Sequence, residues 1–310
     1  MSISNEDPLV SIVIPAFNRQ DIIEETIQCA INQTYKNIEI IITDNDSDDD
    51  TWNVINRAAE NDNRIKAFRN EKNLGPVLNW QSAINKVNGE YIKILWSDDR
   101  MSDNFVESSL KMFDSDTAFI ISPVTIFNSD NGSTIDNVDY KKILEFSIED
   151  FFDNILFDNY LNFMVSPGCA IFRTGDVRQA LYIDVPNKDG LDFKKYGAGN
   201  DLLIFLLSAI KYAKLKVNPY ATSSFRHHEK SISIERQSEI NLYYEWSKQF
   251  FINNFYPSLN DIYKSRLFLK FAFNKKFKNI YQNSDGTVRI KHLINSGFRK
   301  FFRKNSNNGN

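Results

Sequence analysis

Tyr91-Ile92-Lys93-Ile94-Leu95-Trp96-Ser97-Asp98-Asp99 is a short apolar run that stops at two adjacent acids. Its length and β-branched content read as a buried strand with carboxylates at the carboxyl end. In open α/β sheets that end faces the crevice where ligands bind. Two neighbouring carboxylates repel unless a cation lies between them, and a divalent ion with oxygen ligands is the usual partner. Taken alone, an N-cap followed by a solvated turn is the commoner reading of such a pair.

Upstream of it, residues 9–14, 38–43 and 65–69 are similar Ile- and Val-rich runs. Helical stretches separate them over 20–33, 51–60 and 77–87; in the first, Ile22, Ile23, Ile27, Ala30 and Ile31 form one apolar stripe. The spacing is that of a βαβ unit, about thirty residues. Continuously apolar strands imply a parallel sheet covered on both faces. The fold class is therefore α/β, a Rossmann-like, mostly parallel central sheet with helices on both faces.

The turn after the first strand is Pro15-Ala16-Phe17-Asn18-Arg19, with no Gly-x-Gly-x-x-Gly, and no Gly-Lys-Ser/Thr loop occurs. Both facts argue against a dinucleotide oxidoreductase and a P-loop enzyme. The second strand instead ends in Asp44-Asn45-Asp46-Ser47-Asp48-Asp49-Asp50. Taken alone, Asp44 reads more readily as a cap for the helix near Thr51, and Asp201, at the head of an apolar helix, as a cap that complements the helix dipole. Trp80 and Trp96 read as core. Beyond Asp99 the pattern predicts a helix over 105–113, a strand over 118–126, a loop over 128–138 and a helix over 147–157. A strand over 169–172, a helix over 200–212 and strands over 215–217 and 223–226 follow. Residues 234–304 read as helical, and 305–310 as a disordered tail.

Of the 310 residues, 42% are hydrophobic and 25% charged, ordinary for a globular protein. No apolar run approaches the ~18–20 residues of a membrane-spanning helix. The first apolar run stops at Pro15 and does not read as a signal peptide. Cys29 and Cys169 lack metal-ligand spacing and read as free thiols of a reducing compartment, so the cytoplasm is the expected location. Residues 264–304 hold twelve Lys or Arg against the single acid Asp285, leaving net −14 for the rest of a chain whose total is −3. Such a stretch, interleaved with Phe, suits either an anionic bilayer interface at the inner face of the cell membrane or a helix packed on the domain with its basic side wet. The acidic body weighs against nucleic acid as a partner.

These landmarks together resemble the family-2 glycosyltransferases, which have the GT-A fold. The likeness covers about residues 8–233. It implies a catalytic domain over 1–233, with a nucleotide-sugar-binding half about 8–110 and an acceptor half about 111–233. By that resemblance Pro15, Ala16, Phe17 and Asn18 line the nucleotide base, and Asp44 contacts the uracil edge. Asn73-Leu74-Gly75 resembles the family's Asn-x-Gly, which puts Asn73 and Gly75 in the donor site. Trp96-Ser97-Asp98-Asp99 looks like the metal motif, with Asp98 near the ribose and Asp99 holding Mn²⁺ or Mg²⁺ on the donor's pyrophosphate. Trp96 stands where the family often has an acid.

In the second half, Ser166-Pro167-Gly168 resembles the segment near acceptor and donor sugar, which assigns Gly168 there. Gly199-Asn200-Asp201 matches the Glu-Asp pair, so Asp201 is the implied catalytic base, with Asn200 in place of Glu. Arg226-His227-His228-Glu229-Lys230-Ser231-Ile232-Ser233 is similar to the family's Arg-x-His-x-x-Ser-x-Ser, which puts His228 near the metal or pyrophosphate. The implied reaction is inverting transfer from a UDP-sugar to a hydroxyl of a glycan or lipid-linked oligosaccharide acceptor in surface-polysaccharide assembly. A sugar-phosphate nucleotidyltransferase would show a Gly-rich basic loop after the first strand. A non-catalytic nucleotide-sugar-binding homologue remains the other alternative.

Overall fold

The computed structural model of the protein describes residues 7–140, 142–158, 163–227, 236–271 and 277–282. The chain opens as the alternating pattern predicts. It runs β1 (Val10–Ala16), α1 (Ile23–Ile31), β2 (Ile38–Asp44), α2 (Thr51–Asn61), β3 (Ile65–Arg69), α3 (Pro76–Ile84) and β4 (Tyr91–Ile94). There follow β5 (Arg100–Met101), α4 (Phe105–Leu110), β6 (Thr117–Ile121), β7 (Val124–Asn128), β8 (Thr134–Val138), β9 (Glu145–Ser147) and α5 (Ile148–Phe157). The remainder comprises β10 (Ala170–Arg173), α6 (Thr174–Ala180), α7 (Asn200–Ala209), β11 (Lys214–Val217), β12 (Ser223–His227), α8 (Gln237–Phe255), α9 (Asn260–Phe271) and α10 (Lys278–Tyr281).

The main sheet has eight strands in the order β3-β2-β1-β4-β10-β6-β11-β9. Four of its seven ladders are parallel, and three are antiparallel because β10 inserts between β4 and β6 and β9 closes the far edge. The sheet is therefore mixed. Alternate side chains explain the continuously apolar strands. Ile12 and Ile14 of β1 enter a core shared with Ile23, Ile27, Val54 and Ile55 of α1 and α2. Val13, with Ile92 and Ile94 of β4, faces a second core. The phenylalanines of the second half fill that second core. Phe119 has the rings of Phe151, Phe172 and Phe205 at 5.6, 5.2 and 5.1 Å, in the tilted and edge-on arrangements aromatic pairs favour.

Three local readings differ from the structure. The strand expected over 118–126 is two strands, β6 and β7, which belong to different sheets. Pro123, which has no N–H to give a ladder, lies at the break. The loop expected over 128–138 contains β8, an exposed polar strand with no apolar alternation, hairpinned onto β7. Its signal was Asn131-Gly132, with Gly132 at φ +69°. The short helix α6 was not anticipated at all.

The second sheet, β5-β12-β7-β8, stands against the end of the first. Helices α8, α9 and α10 follow, and α8 packs on α7. In the described part of the basic stretch, Leu267, Phe277, Ile280 and Tyr281 are buried; the helix that the sequence suggests over 288–304 and the tail 305–310 lie outside the described residues. No helix among the described residues is long and apolar enough to cross a membrane. Cys29 and Cys169 are both free thiols.

Strand β4 enters beside β1 at Gly89, whose N–H donates to Ser11 Oγ at 2.9 Å. A Cβ there would lie 2.6 Å from Ser11 Oγ, 2.7 Å from its nitrogen and 2.8 Å from the Leu9 carbonyl oxygen. Backbone cannot yield as a flexible side chain does, so Gly89→Ala is expected to cost about 1–3 kcal/mol, read as a lowered midpoint in urea unfolding.

Candidate active site

Parallel register brings the carboxyl ends of β1 and β2 level, with Ala16 opposite Asp44 and Pro15 opposite Thr43. Asp44 is fully buried. It does not cap α2: its Oδ2 accepts the Ser47 amide at 3.1 Å and its Oδ1 accepts the Ser47 hydroxyl. Arg69, at the end of β3, lies 3.3 Å from Asp44 and also reaches Asp46 and the Ser47 carbonyl. The β1 turn is tied to this acidic turn, since the Asn18 amide donates to Ser47 Oγ and Asn18 Oδ1 accepts from the Asp48 amide, both at 2.9 Å. Phe17 remains partly exposed at the tip.

Uncharged amides fix the neighbouring strand ends. Asn45 donates to Asn73 Oδ1 at 2.9 Å and accepts from Asn70 and the Leu74 amide at 3.0 Å. Asn79 reaches the carbonyls of Ala16 and Thr43 at 3.4 Å. Asn73 Oδ1 also takes the Gly75 amide, and Gly75, at φ +80°, starts α3 in a backbone conformation that glycine tolerates. Sequence reasoning singled out Asn73 and Gly75 but missed Asn45, Asn70, Asn79 and Arg69; Asn45 and Asn70, each directly after a strand, were the available signal.

Asp98 and Asp99 follow β4, and Asp99 is only 6% exposed. Burial, then the Asp98 charge, pushes its carboxyl well above the ordinary carboxylate range. Three cationic groups answer the pair. Arg226 of β12 donates its amide to Asp99 Oδ1 and its Nε to the Asp98 carbonyl, both at 2.9 Å. Arg19 lies 3.5 Å from Asp98 Oδ2. Lys93, fully buried beneath, hydrogen-bonds the Gly168 carbonyl and lies 4.3 Å from the Phe105 ring centroid. Glu25 of α1 in turn pairs with both Arg226 and Arg100, whose guanidinium groups flank Phe127. Among the described residues no three His, Cys, Asp or Glu side chains form a metal-holding cluster. His228 lies outside the described residues.

Trp80 and Trp96 are half-buried rather than core, and they join the two halves of the molecule. Their ring centroids are 4.8 Å apart. Trp96 donates its indole N–H to Ser166 Oγ at 2.9 Å. A Cβ on Gly168 would lie 2.8 Å from the Trp96 ring, and one on Gly197 would lie 2.2 Å from the Trp80 ring. The Gly197 carbonyl accepts the Asp201 amide, so the seam leads from the acid pair to the head of α7.

At that head Asn200 is buried, donates to the Tyr182 carbonyl at 2.5 Å and leaves its Oδ1 without a hydrogen-bond partner. Asp201 keeps part of its surface open while its carboxyl group packs deep. The residue preceding the helix is Gly199, so Asp201 is not its cap; Oδ1 accepts the amides of Gly199 and Leu202 at 2.8 and 2.7 Å, and Oδ2 accepts the Tyr244 hydroxyl at 2.7 Å. Burial outweighs these bonds and raises the carboxyl to about 7. A group poised there can exchange a proton near neutral pH.

Comparison with known proteins agrees with this arrangement. An Escherichia coli protein described as UDP-Glc:alpha-D-GlcNAc-diphosphoundecaprenol beta-1,3-glucosyltransferase WfaP is 39% identical over 111 residues, 36% of this chain and 43% of its own. The Campylobacter jejuni GalNAc(5)-diNAcBac-PP-undecaprenol beta-1,3-glucosyltransferase is 37% identical over 95 residues, covering 30% of this chain and 31% of its own. The match therefore spans less than half the length of either relative. The crystal structure of S. aureus TarS superposes with a TM-score of 0.61 over 87% of this chain and 44% of TarS, at 17% identity. TarS 1–349 in complex with UDP-GlcNAc gives 0.59 over 87% and 75%, at 18% identity. These likenesses establish the GT-A-like fold. The sequence model of glycosyl transferase family 2 matches residues 11–181, and the chain belongs to that family.

Proposed function

We propose that the protein is an inverting glycosyltransferase that moves a sugar from a UDP-sugar to a hydroxyl of a glycan acceptor. The observation that carries this reading is the Asp98–Asp99 pair, set at the end of β4 beside the β1 and β2 turns and backed by Arg226. On it, residues 15–18 and Asp44 bound the uridine, Asn73 and Gly75 shape its rim, and Asp98 lies near the ribose. Gly168 and Asn200 border the sugar and acceptor.

A divalent ion fits Asp99. Its buried carboxylate, crowded by Asp98, is the kind of group a cation stabilises. Mn²⁺ or Mg²⁺ held by Asp99, with His228 as a second ligand, would supply Lewis-acid neutralisation of the leaving diphosphate. The rest falls to the chain's own residues. The acceptor oxygen attacks the anomeric carbon opposite the bond to the diphosphate. That bond breaks, the diphosphate leaves with its electron pair, and the hydroxyl proton passes to Asp201. Its carboxyl, raised to about 7, can take up and release a proton near neutral pH. The half-buried tryptophans at the seam help exclude water from the transfer centre.

Relatives named for diphosphoundecaprenol-linked substrates support a lipid-linked acceptor in surface-polysaccharide assembly, and with it the cytoplasmic face of a membrane. The basic residues between 264 and 304 suit that surface, at about 1 kcal/mol for each one near anionic lipid.

Calorimetric titration with UDP, GDP, CDP and TDP, with and without Mn²⁺, tests the donor site. UDP binding that needs the ion and is lost in Asp99→Ala is expected. Equal binding without the ion, or by the variant, would overturn the metal assignment, and no nucleotide binding would leave a non-catalytic homologue.

For the base, Asp201→Asn should lower UDP release from the donor by about 10²–10⁴, and the wild-type rate should climb as pH rises through about 7. Stability runs the other way. Between the unfolded value near ~3.9 and about 7, the unfolded chain has lost the proton that the fold retains, so wild-type stability falls as pH rises. Asp201→Asn escapes that loss, and its Tm relative to wild type should be higher at pH 8 than at pH 5.

A further inference from the structure

We propose that Tyr244 of α8 is a positioning residue for the Asp201 carboxylate, so that a C-terminal helix completes the base of the active site. The inference rests on Asp201 being the base, and it deepens that assignment. Both residues lie beyond the family-matched segment, which ends at residue 181.

The amides of Gly199, just before α7, and Leu202, in its first turn, hold Oδ1 of Asp201, but they leave the direction of Oδ2 to another partner. The Tyr244 hydroxyl, 2.7 Å from Oδ2, is that partner and fixes the carboxyl plane. Burial, then the Asp201 charge, holds the Tyr244 hydroxyl well above its ordinary value, so it stays a donor throughout the working range. The approach of α8 is itself fixed. A Cβ on Gly199, which has φ +83°, would lie 2.4 Å from Ser247 Oγ and 2.9 Å from the Tyr243 carbonyl oxygen. The helix thus abuts the turn that launches Asp201, with no room for a side chain between them.

The other ionisable groups on the packed elements are engaged elsewhere. On α6, Asp176 binds Lys211 and Tyr212, and Arg178 binds the Val87 carbonyl. On α8, Glu239 pairs with Arg236, while Glu245 and Lys248 face each other, Tyr263 and Asp158. Tyr243 lies against the rings of Phe193 and Tyr196. Beneath α7, burial raises the Cys169 thiol to about 12, so it stays neutral, and β6 carries no ionisable side chain. Tyr244 is the side chain that bonds Asp201 directly.

The test is a carbon NMR titration of the full chain carrying aspartate labelled at the side-chain carboxyl carbon, with Asp201→Asn identifying the Asp201 signal. In Tyr244→Phe the midpoint should move up by about one pH unit, a tenfold gain in proton affinity. The UDP-release rate at pH 6.5 should fall several-fold and recover by pH 8.5, with UDP affinity unchanged. A folded Tyr244→Phe protein with unmoved midpoint and pH profile overturns the proposal. Should that variant not fold, 3-fluorotyrosine at the tyrosine positions makes the hydroxyl a stronger donor and should lower the midpoint, and an unmoved midpoint is again fatal. Full turnover in Asp201→Asn would instead overturn the base assignment, a result the titration does not depend on.

Discussion

Keeping two adjacent carboxylates in a nearly dry place is the constraint around which the molecule is built. Left alone, such a pair would protonate or pull the strand end into water. Arg226 opposes both, although burial and the Asp98 charge still leave the Asp99 carboxyl well above the ordinary carboxylate range. Its amide donates to the Asp99 carboxylate and its Nε to the Asp98 backbone carbonyl, while Glu25 and the Phe127 ring keep its guanidinium from swinging away. The arrangement closes on itself. The chain leaves Asp99 directly into β5, β5 pairs with β12, and β12 carries Arg226 back to the acids. The small second sheet thus holds Arg226 against the acids.

Lys93 extends the same logic inward. A fully buried ammonium is costly, and burial lowers its pKa to about 7. It is retained beside the Gly168 carbonyl, which also accepts the Ser223 hydroxyl at 3.2 Å. One carbonyl is therefore shared by β4 and β12, and the turn that carries Gly168 rests on both. The Trp80–Trp96 pair lies over this floor and transmits its position to the head of α7.

The first hundred residues were legible because local pattern and tertiary role coincide there. Strands apolar on both faces must be covered on both faces, and acids at their ends must face the crevice. Legibility fell after Asp99 for physical reasons. β8 is polar and exposed, so it has no alternation to read, and Pro123 splits one apolar run between two sheets. Among site residues, Asp44, Asp98, Asp99 and Asp201 stood out as acids at element ends. Arg69, Arg226 and Tyr244 act across the fold, 25, 127 and 43 positions away from the acids they bind. Spacing along the chain carries no trace of such pairings. Arg226 was quoted only as part of a motif, without its role. Tyr244 sat unremarked in an aromatic helix, since nothing in a sequence says which of several tyrosines will meet a carboxylate.

The mouth of the crevice is held by two kinds of chemistry. Asn45, Asn70, Asn73 and Asn79 knit three strand ends with amides, which neither gain nor lose a proton and are little affected by salt. The frame they make has the same shape in acid, base or brine. Beside them Arg69 pairs with Asp44 and with the exposed Asp46, and the exposed one of these contacts is weakened by salt. Part of the rim thus keeps its outline whatever the ionic strength, while the part beside it answers to it.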